Sequence, residues 1–315
     1  MISAGTVKEW AREAGFLACG ITDLGPNAHA DALDRWLAAG YGGTMRYIHR
    51  QARKRKNPAL ADPEARSVIV ILANYYYDDA DQNVESPKVA KYARGKDYHD
   101  TIGSRLEALA SRLREAGARH TRCYVDTGPM PERELARRAG LGWIGKNAML
   151  IRPGVGSFFF IGEILTDLEL ALDPPFETDH CGSCTRCIDA CPTDAILEPR
   201  VVDATRCISY LTIEQKGPIP DELAAKMDGW VFGCDICNDV CPWNEKFAGR
   251  DGQDGRDGQV NRMLASVDQM TEEEFELHFA DTPFSRPGLS GMRRNMKAAC
   301  AKRSALSAQR STRDP

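Results

Sequence analysis

The chain has 315 residues, of which 43% are hydrophobic and 27% are charged, and its formal net charge is −4. This composition is typical of a soluble globular protein and excludes an intrinsically disordered chain. Its longest apolar run, FFFIGEIL, is too short to span a membrane and contains Glu163. Because the first ten residues, MISAGTVKEW, also lack the pattern of a secretory signal, the sequence predicts a cytoplasmic protein without membrane contact.

Helix and strand patterns alternate over residues 1–172. Apolar residues at helical spacing in TVKEWAREAGF and HADALDRWLAAGY predict that the chain opens with two helices. SVIVILANYYY, which lies between Pro63 and an acidic turn at Asp78–Asp81, predicts a buried strand. An amphipathic helix ending at Gly117 follows, and then a strand (TRCYVD), a helix (PERELARRAG) and a strand (GSFFFIGEILTD). This alternation predicts an α/β layered domain.

The rest of the chain is organised differently. Prolines and the loss of periodicity in ALDPPFETD mark a linker. Residues 173–248 are rich in cysteine and contain only short predicted elements. GRDGQDGRDGQ, at 249–259, predicts an exposed Gly/Asp loop, and the last part of the chain, 249–315, ends in a basic tail.

Basic residues are concentrated in two runs. Residues 45–56 contain six Lys or Arg and no acid, and residues 286–313 contain eight more, again with no acid. A solvated face is a sufficient explanation for either run alone. Two such runs in a chain of negative net charge favour a polyanionic partner, which would be bound through its phosphates.

The first cysteine set has the spacing C-x2-C-x2-C-x3-C-P. It comprises Cys181, Cys184, Cys187 and Cys191. A tight loop with this spacing delivers three thiolates to one iron–sulfur cluster, while the fourth cysteine points to a second cluster. The pattern therefore predicts a second cysteine set elsewhere in the chain.

The second set is present in GCDICNDVCPW, where Cys234, Cys237 and Cys241 again end in C-x3-C-P. A cysteine three residues before Cys234 is missing, and Cys207 is its natural replacement. The predicted ligands of cluster one are Cys181, Cys184, Cys187 and Cys241, and those of cluster two are Cys191, Cys207, Cys234 and Cys237.

Zinc and disulfides explain these cysteines less well than clusters do. A zinc site prefers two C-x2-C pairs and would leave the x3-C-P cysteines unexplained. Disulfides are disfavoured in the predicted compartment. Of the eleven cysteines, Cys19, Cys123 and Cys300 fall outside the pattern and are expected to be buried thiols.

The N-terminal domain has no G-x-G-x-x-G after a strand, so a dinucleotide site is not indicated. It has three polar motifs instead, GKDYHD (95–100), VDTGP (125–129) and AGLGWIGKN (139–147). Together with CGSCTRCIDACPT, RCISYLTIEQKG and GCDICNDVCPWN, these closely resemble epoxyqueuosine reductase, a cobalamin-dependent family of tRNA-modification enzymes. The resemblance runs from about residue 5 to about residue 296, and the family is also similar to reductive dehalogenases.

The resemblance implies a fold and a reaction. Residues 1–172 would be an α/β (α+β) cobalamin-binding catalytic domain, and residues 173–248 a ferredoxin-like domain with two 4Fe–4S clusters. The implied reaction reduces the epoxide of epoxyqueuosine at the tRNA wobble position to queuosine and water. Electrons would pass from an external donor through the clusters to cobalamin. Longer relatives continue into helical repeats that help to grip tRNA, and residues 249–315 lack that full domain.

The resemblance makes Asp126, in VDTGP, the proton donor and a cofactor contact. A carboxyl group between a strand and a Gly-Pro turn can project into a cleft. The alternative is that Asp126 only hydrogen-bonds its own turn. Glu132 and Glu134 are expected in the first turn of the next helix, where acids suit the helix dipole.

Other site candidates come from the same motifs. Tyr98 and His99 are candidates to line the cofactor or nucleoside pocket, whereas Asp97 and Asp100 are expected to cap the helix that follows. The family resemblance further assigns three cobalamin contacts, at Arg55, Leu150 and Ile161.

Trp143 and Lys146 of GLGWIGKN are possible pocket members, although a tryptophan in such a motif is as often part of the core. Two other functions stay open, a cobalamin-dependent reductive dehalogenase and a ferredoxin-like electron-transfer subunit. The basic runs and the absence of a twin-arginine signal speak against the dehalogenase.

Overall fold

The structure is a computed structural model that describes residues 2–76, 87–249, 263–264 and 266–311. The acidic turn predicted at Asp78–Asp81, and all of the predicted Gly/Asp loop except Gly249, lie outside these described residues. Within them, no helix is both long enough and apolar enough to cross a bilayer.

The strands are β1 (Ala18–Thr22), β2 (Ser67–Asn74), β3 (Lys88–Val89), β4 (Thr121–Tyr124), β5 (Trp143–Ile144), β6 (Leu150–Ile151), β7 (Phe159–Thr166), β8 (Ile196–Glu198), β9 (Val201–Val202) and β10 (Trp230–Phe232). The α-helices are α1 (Ala4–Glu13), α2 (Ala30–Ala38), α3 (Arg46–Lys56), α4 (Tyr98–Glu115), α5 (Glu132–Arg138), α6 (Arg186–Asp189), α7 (Ile208–Ile213), α8 (Asp221–Ala224), α9 (Ile236–Asp239), α10 (Pro242–Phe247), α11 (Glu272–Phe279) and α12 (Gly288–Ser311).

A four-stranded antiparallel sheet with the order β1-β2-β7-β4 lies at the centre of the N-terminal part. Alternate residues of a strand face opposite sides, so each strand contributes to two apolar layers. On one side, Ile71 and Ile164 pack with Leu106 of α4 and with α1. On the other side, Val70 and Leu165 pack with Leu135 of α5. The sheet therefore separates a layer on α1 and α4 from a layer on α5.

The predicted elements of this part are confirmed, and the structure adds the helix α3 and the short strands β1, β3, β5 and β6. The two opening helices exist as α1 and α2, but the short strand β1 lies between them. The sequence analysis missed β1 because ACGIT contains a glycine and is too short to show alternation. β2 is buried at every residue except Asn74, as its β-branched sequence predicts.

The C-terminal part shares a core with the N-terminal part. β3 pairs in parallel with β10, and Val89 joins Phe232, Phe279 and Met292 in one buried cluster. The division of the chain at residues 172 and 249 stays a prediction, and this cluster contains residues from all three predicted segments. The predicted basic tail continues α12 as far as Ser311.

Candidate active site

Asp126 lies in a tight turn directly after β4. Its φ is +56°, a conformation that non-glycine residues rarely adopt, and the N–H of Thr127 donates to the carbonyl of Val125 over 2.5 Å. Its side chain is 64% exposed. The carboxylate accepts a hydrogen bond of 2.8 Å from the Tyr98 hydroxyl, which belongs to a different element. The turn thus presents the carboxyl group outward, and its described hydrogen bond goes to Tyr98 and not to its own turn, as the alternative required.

The start of α4 supplies the neighbours of this carboxylate. Asp97 caps the helix by accepting the N–H of His99, as predicted. The Tyr98 ring stacks on Phe160 with centroids 4.4 Å apart. Burial, followed by the charge of Asp126, raises the pKa of Tyr98, so its hydroxyl keeps its proton and donates. His99 Nε2 lies 3.8 Å from Asp126 Oδ2, and its Nδ1 contacts Asp97 over 2.6 Å.

Arg55 lies at the end of the basic helix α3 but points inward. Its two terminal nitrogens donate to the carbonyls of Met130 (2.9 Å) and Gly128 (3.1 Å), and one of them also contacts Gln51. Its Nε is buried and has no hydrogen-bond partner among the described residues. Arg55 therefore holds the loop that follows Asp126.

The other predicted cofactor contacts occupy two different places. Leu150 and Ile161 join the apolar layer beneath α5, where Leu150 is buried and Ile161 is partly buried. Trp143 and Lys146 lie beside the cysteine loop instead. The Trp143 indole N–H points to Cys181 Sγ at 3.5 Å, and Lys146 donates to the carbonyls of Gly182 and Cys184.

Two acidic residues, Glu132 and Glu163, have contacts or burial in this region that the sequence did not predict. Glu132 is in the first turn of α5, as predicted, but its carboxylate also accepts the backbone N–H of Asp126 over 2.7 Å. Glu163, in the middle of β7, is fully buried. The only available sequence signal was a charged residue inside the apolar run FFFIGEIL.

The cysteine thiols lie close enough to one another to raise one another's pKa. Burial and repulsion from Cys181 and other thiolates raise the pKa of Cys187, and Cys241 is likewise affected by Cys181 and Cys184. Burial and repulsion from Cys207 and Cys191 raise the pKa of Cys234. The two neighbourhoods overlap, because Cys187 also contributes to the raised pKa of Cys237, and the division of the ligands between two clusters stays a prediction. In the described ranges, no group of His, Cys, Asp and Glu side chains is arranged to hold a single metal ion. A four-iron cluster holds its thiolates further apart than a single metal ion does.

Backbone and side-chain N–H groups point at these sulfurs. Ala195 N–H donates to Cys191 Sγ over 3.3 Å, and N–H groups after Cys207, Cys234 and Cys241 lower the pKa of those thiols against the effect of burial. Donors of this kind stabilise thiolates that bind iron.

The remaining Cys19 and Cys123 are half-buried, and burial raises the pKa of each to about 12. The side chain of Cys300 lies outside what the structure describes.

The two basic runs differ in their contacts. On α3, Arg46, Arg50, Arg53 and Lys54 are exposed, whereas Lys56 pairs with Asp34 over 2.9 Å.

Near and within α12, two arginines make contacts that stabilise the fold. Arg286 donates to Glu214, and Arg294 donates to the carbonyls of Leu211 and Gln215. A surface cavity of about 420 Å³ lies beside Arg293 and Lys297, away from Asp126.

Two protein-family models match the chain. The model of a 4Fe-4S double cluster binding domain matches residues 180–244, and that of Epoxyqueuosine reductase QueG matches residues 55–127. A curated epoxyqueuosine reductase from Cyclobacterium marinum is 42% identical over 293 residues, covering 92% of this chain and 94% of the relative. One from Pseudomonas aeruginosa is 42% identical over 302 residues, covering 93% and 83%.

Solved structures agree with these matches. A crystal structure of epoxyqueuosine reductase with an epoxyqueuosine-modified tRNA-Tyr stem loop has a TM-score of 0.85 at 32% identity, covering 94% of this chain and 80% of that one. An epoxyqueuosine reductase from Bacillus subtilis, with its catalytic Asp loop swung out of the active site, has a TM-score of 0.83 at 31% identity, with the same coverage. The predicted fold class, an α/β (α+β) domain followed by a two-cluster ferredoxin-like domain, is confirmed.

Proposed function

The chain belongs to the epoxyqueuosine reductase family of oxidoreductases, and we propose that it reduces the epoxide of epoxyqueuosine at the tRNA wobble position. The reaction takes up two electrons and two protons, breaks both carbon–oxygen bonds of the epoxide, and leaves queuosine and water. The observation that carries the proposal is the exposed carboxyl group of Asp126, held by Tyr98 in a turn of unfavourable backbone conformation.

Asp126 is the proposed proton donor. Its carboxyl group gives a proton to the epoxide oxygen as that oxygen leaves, and a positioned acid typically contributes roughly 10²–10⁴-fold to the rate. The Tyr98 hydroxyl, 2.8 Å away, donates to the carboxylate that this step creates. The tight turn keeps the carboxyl group in one place, because Arg55 and Glu132 both hold its backbone.

The cysteines fit two 4Fe–4S clusters, since residues 180–244 match a double-cluster family model and N–H donors are directed at the sulfurs. Clusters and cobalamin, when bound, supply the two electrons that the reduction requires. Tyr98, His99, Leu150 and Ile161 are the residues proposed to contact cobalamin. Arg55 fits this role less well, because both of its terminal nitrogens already bind the loop.

The proposed partner is tRNA that carries epoxyqueuosine, together with an external electron donor. A relative with 32% identity has been crystallised with an epoxyqueuosine-modified tRNA stem loop, which supports this substrate. The exposed basic residues of α3 supply charges suited to phosphates, and α3 is the helix that ends at Arg55.

Asp126→Asn tests the proposal, because it keeps the shape of the side chain and removes the transferable proton. We expect this variant to assemble both clusters, bind cobalamin and tRNA, and lose roughly 10²–10⁴-fold in single-turnover reduction of epoxyqueuosine by pre-reduced enzyme. Asp100→Asn, which changes an exposed acid in the first turn of α4, is the matched control. A rate equal to wild type in Asp126→Asn would remove the acid role from Asp126.

The same preparation separates the two alternative functions. An electron-transfer subunit would assemble clusters but would not bind stoichiometric cobalamin. A reductive dehalogenase would bind cobalamin but would not bind tRNA. Wild-type protein that binds both and still leaves epoxyqueuosine unreduced would overturn the proposed reaction.

A further inference from the structure

Four buried polar side chains lie between the N-terminal part and the cysteine-rich part. They are Asn147, Ser157, Asn238 and Asn244, which we call the polar network, and each is at most 6% exposed. Asn147 lies in the turn between β5 and β6, and Ser157 lies two residues before β7. Asn238 belongs to α9 and Asn244 to α10. The network thus crosses the predicted boundary at residue 172.

Hydrogen bonds join all four side chains. Asn238 Oδ1 accepts from Asn147 Nδ2 and from the Ser157 hydroxyl, each over 3.2 Å. Asn244 Nδ2 donates to Ser157 Oγ over 2.9 Å and to the carbonyl of Asn238 over 2.8 Å, and its Oδ1 accepts the Ser157 backbone N–H over 2.6 Å. Within the described residues, none of the four side chains has a buried polar atom without a partner. A buried network that is fully paired fixes one arrangement of the segments that it joins.

The backbone before Ser157 is shaped for this contact. Gly156 has a φ of +98°, a conformation that favours glycine. A Cβ atom at this position would lie 2.1 Å from Asn244 Oδ1, which is closer than nonbonded atoms approach each other. The chain therefore needs glycine at residue 156 to bring its backbone against the Asn244 amide.

The cysteine side of the network lies next to cluster ligands. Asn238 stands between Cys237 and Cys241 in the sequence, and Asn244 follows Cys241 by three residues. The Asn147 amide also donates to the carbonyl of Cys237 over 3.4 Å. The cysteine spacing predicts that Cys237 and Cys241 bind different clusters. The network therefore holds the backbone of a segment that is predicted to supply ligands to both clusters.

The other side of the network lies next to residues proposed to contact cobalamin. Asn147 precedes Leu150 by three residues, and Ser157 precedes Ile161 by four. Leu150 and Ile161 both join the apolar layer beneath α5. Two short stretches of the N-terminal part thus hold the ligand segment with one residue and carry a proposed cobalamin contact a few residues later.

We propose that the polar network positions the two iron–sulfur clusters relative to each other and to the cobalamin site, and so sets the rate at which electrons pass between them. The proposal rests on the electron path of the proposed function. Each transfer moves one electron, which oxidises a reduced cluster and reduces the cobalt of cobalamin, and the external donor then reduces the cluster again.

The members of the network are positioning residues, because they hold the backbone of the ligand segment and make no described hydrogen bond to a sulfur. Electron transfer slows steeply as the distance between two redox centres grows. A ligand segment that is held less firmly should therefore deliver electrons more slowly. Partners outside the ligand set of a metal centre typically contribute 10–100-fold to its affinity or activity.

Ser157→Ala tests the proposal, because it removes the hydroxyl that bonds Asn238 and Asn244 and keeps the backbone N–H. We expect the variant to assemble both clusters, with the iron content of wild type, and to bind cobalamin. Electron paramagnetic resonance of the reduced, cobalamin-free protein should show an altered magnetic interaction between the two clusters. In the loaded protein, electron transfer from pre-reduced clusters to cobalamin, followed by stopped-flow absorbance, should be about 10-fold slower.

Ser67→Ala is the matched control, because Ser67 and Ser157 are each 1% exposed. The Ser67 hydroxyl also makes two hydrogen bonds, to the carbonyl of Leu168 over 2.8 Å and from the N–H of Leu170 over 3.1 Å. Neither partner belongs to the cysteine-rich part. The control should therefore leave the magnetic interaction and the transfer rate as they are in wild type.

A second variant tests whether Ser157 acts through Asn238. Asn238→Ala removes the acceptor that Asn147 and Ser157 share. In this background, Ser157→Ala should slow electron transfer by a smaller factor than it does alone, because residues in one network do not contribute independently. An equal factor in both backgrounds would mean that Ser157 acts by another route and would overturn the proposal.

Three results with the single variants would also overturn it. Ser157→Ala with the magnetic interaction and transfer rate of wild type would show that the network does not position the clusters. Loss of a cluster from Ser157→Ala would show that it retains clusters instead. Equal changes in Ser67→Ala would assign the effect to general destabilisation. The expected changes in a protein that leaves epoxyqueuosine unreduced would refute the proposed reaction alone.

Discussion

Trp143 is expected to tune the reduction potential of the cluster bound by Cys181. Its side chain is 3% exposed, and its indole N–H lies 3.5 Å from Cys181 Sγ. Reduction adds negative charge to a cluster and its thiolates, so an N–H donor stabilises the reduced form more than the oxidised form. Trp143→Phe keeps an aromatic ring against Phe176 and Trp243 but removes the donor. The variant should therefore have a cluster of lower potential.

The size of the shift follows from the strength of the bond. A hydrogen bond in a protein contributes about 0.5–1.5 kcal/mol net, and this one is long and acts only through the difference between two oxidation states. If about 0.5–1 kcal/mol of differential stabilisation is lost, the potential falls by roughly 20–40 mV, since about 1.4 kcal/mol corresponds to 59 mV for one electron.

An anaerobic redox titration followed by electron paramagnetic resonance measures this shift. Trp243→Phe is the matched control, because that ring packs edge-on against Trp143 at 5.0 Å and Trp243 donates to Cys241 through its backbone N–H, which the substitution keeps. The reasoning is refuted if Trp143→Phe leaves the potential unchanged or raises it. It is also refuted if Trp243→Phe lowers the potential equally, because the effect would then come from packing.

Three further predictions follow from the cluster ligands, the basic helix and the buried acid. Cys191→Ala and Cys234→Ala should weaken the same cluster signal and Cys184→Ala the other one, and damage by Cys184→Ala and Cys191→Ala to one common cluster would contradict the partition. Arg53→Ala with Lys54→Ala should flatten the salt dependence of tRNA binding by about one log–log unit per lost phosphate contact, and an unchanged slope would mean that both side chains are merely solvated. Glu163 is buried without a donor among the described residues, which raises its pKa well above the usual 4.5. Its contribution to stability is therefore fully present below pH 4.5 and falls by about 1.4 kcal/mol per unit as the pH rises toward its native pKa. Glu163→Gln should lose this pH dependence in denaturant unfolding as the pH is raised from 5, and equal slopes in both proteins would speak against a protonated Glu163.

The sequence predicted the parts of the site that depend on local patterns. The cysteine spacing predicts two ligand sets, with Cys207 added from a separate segment. The structure places Cys207 near Cys191 and Cys234, and the division between two clusters stays a prediction. GKDYHD and VDTGP are about 28 residues apart, and it was the family resemblance that assigned Tyr98 and Asp126 to one site. The hydrogen bond between them confirms the proximity and leaves their chemical roles as proposals.

The parts that the sequence could not predict depend on tertiary packing. In ARKRKNP nothing distinguishes Arg55 from Arg53, and only the position of α3 against the Asp126 loop turns one arginine inward and leaves the other in solvent. Glu163 stands inside an apolar run, where a charged residue normally indicates that the buried stretch ends. Its burial results from the cover that α5 gives to one face of the sheet, a long-range contact that no local pattern encodes.

In the proposed function, the two sides of α3 have different roles. Its exposed side presents Arg50, Arg53 and Lys54, which are suited to phosphates, while its last turn places Arg55 on the carbonyls of Gly128 and Met130. The opposite anchor of the loop, Glu132, belongs to α5, whose inner face packs on the central sheet. One anchor of the loop thus belongs to a helix that packs on the core, and the other belongs to the helix whose outer side is proposed to meet tRNA.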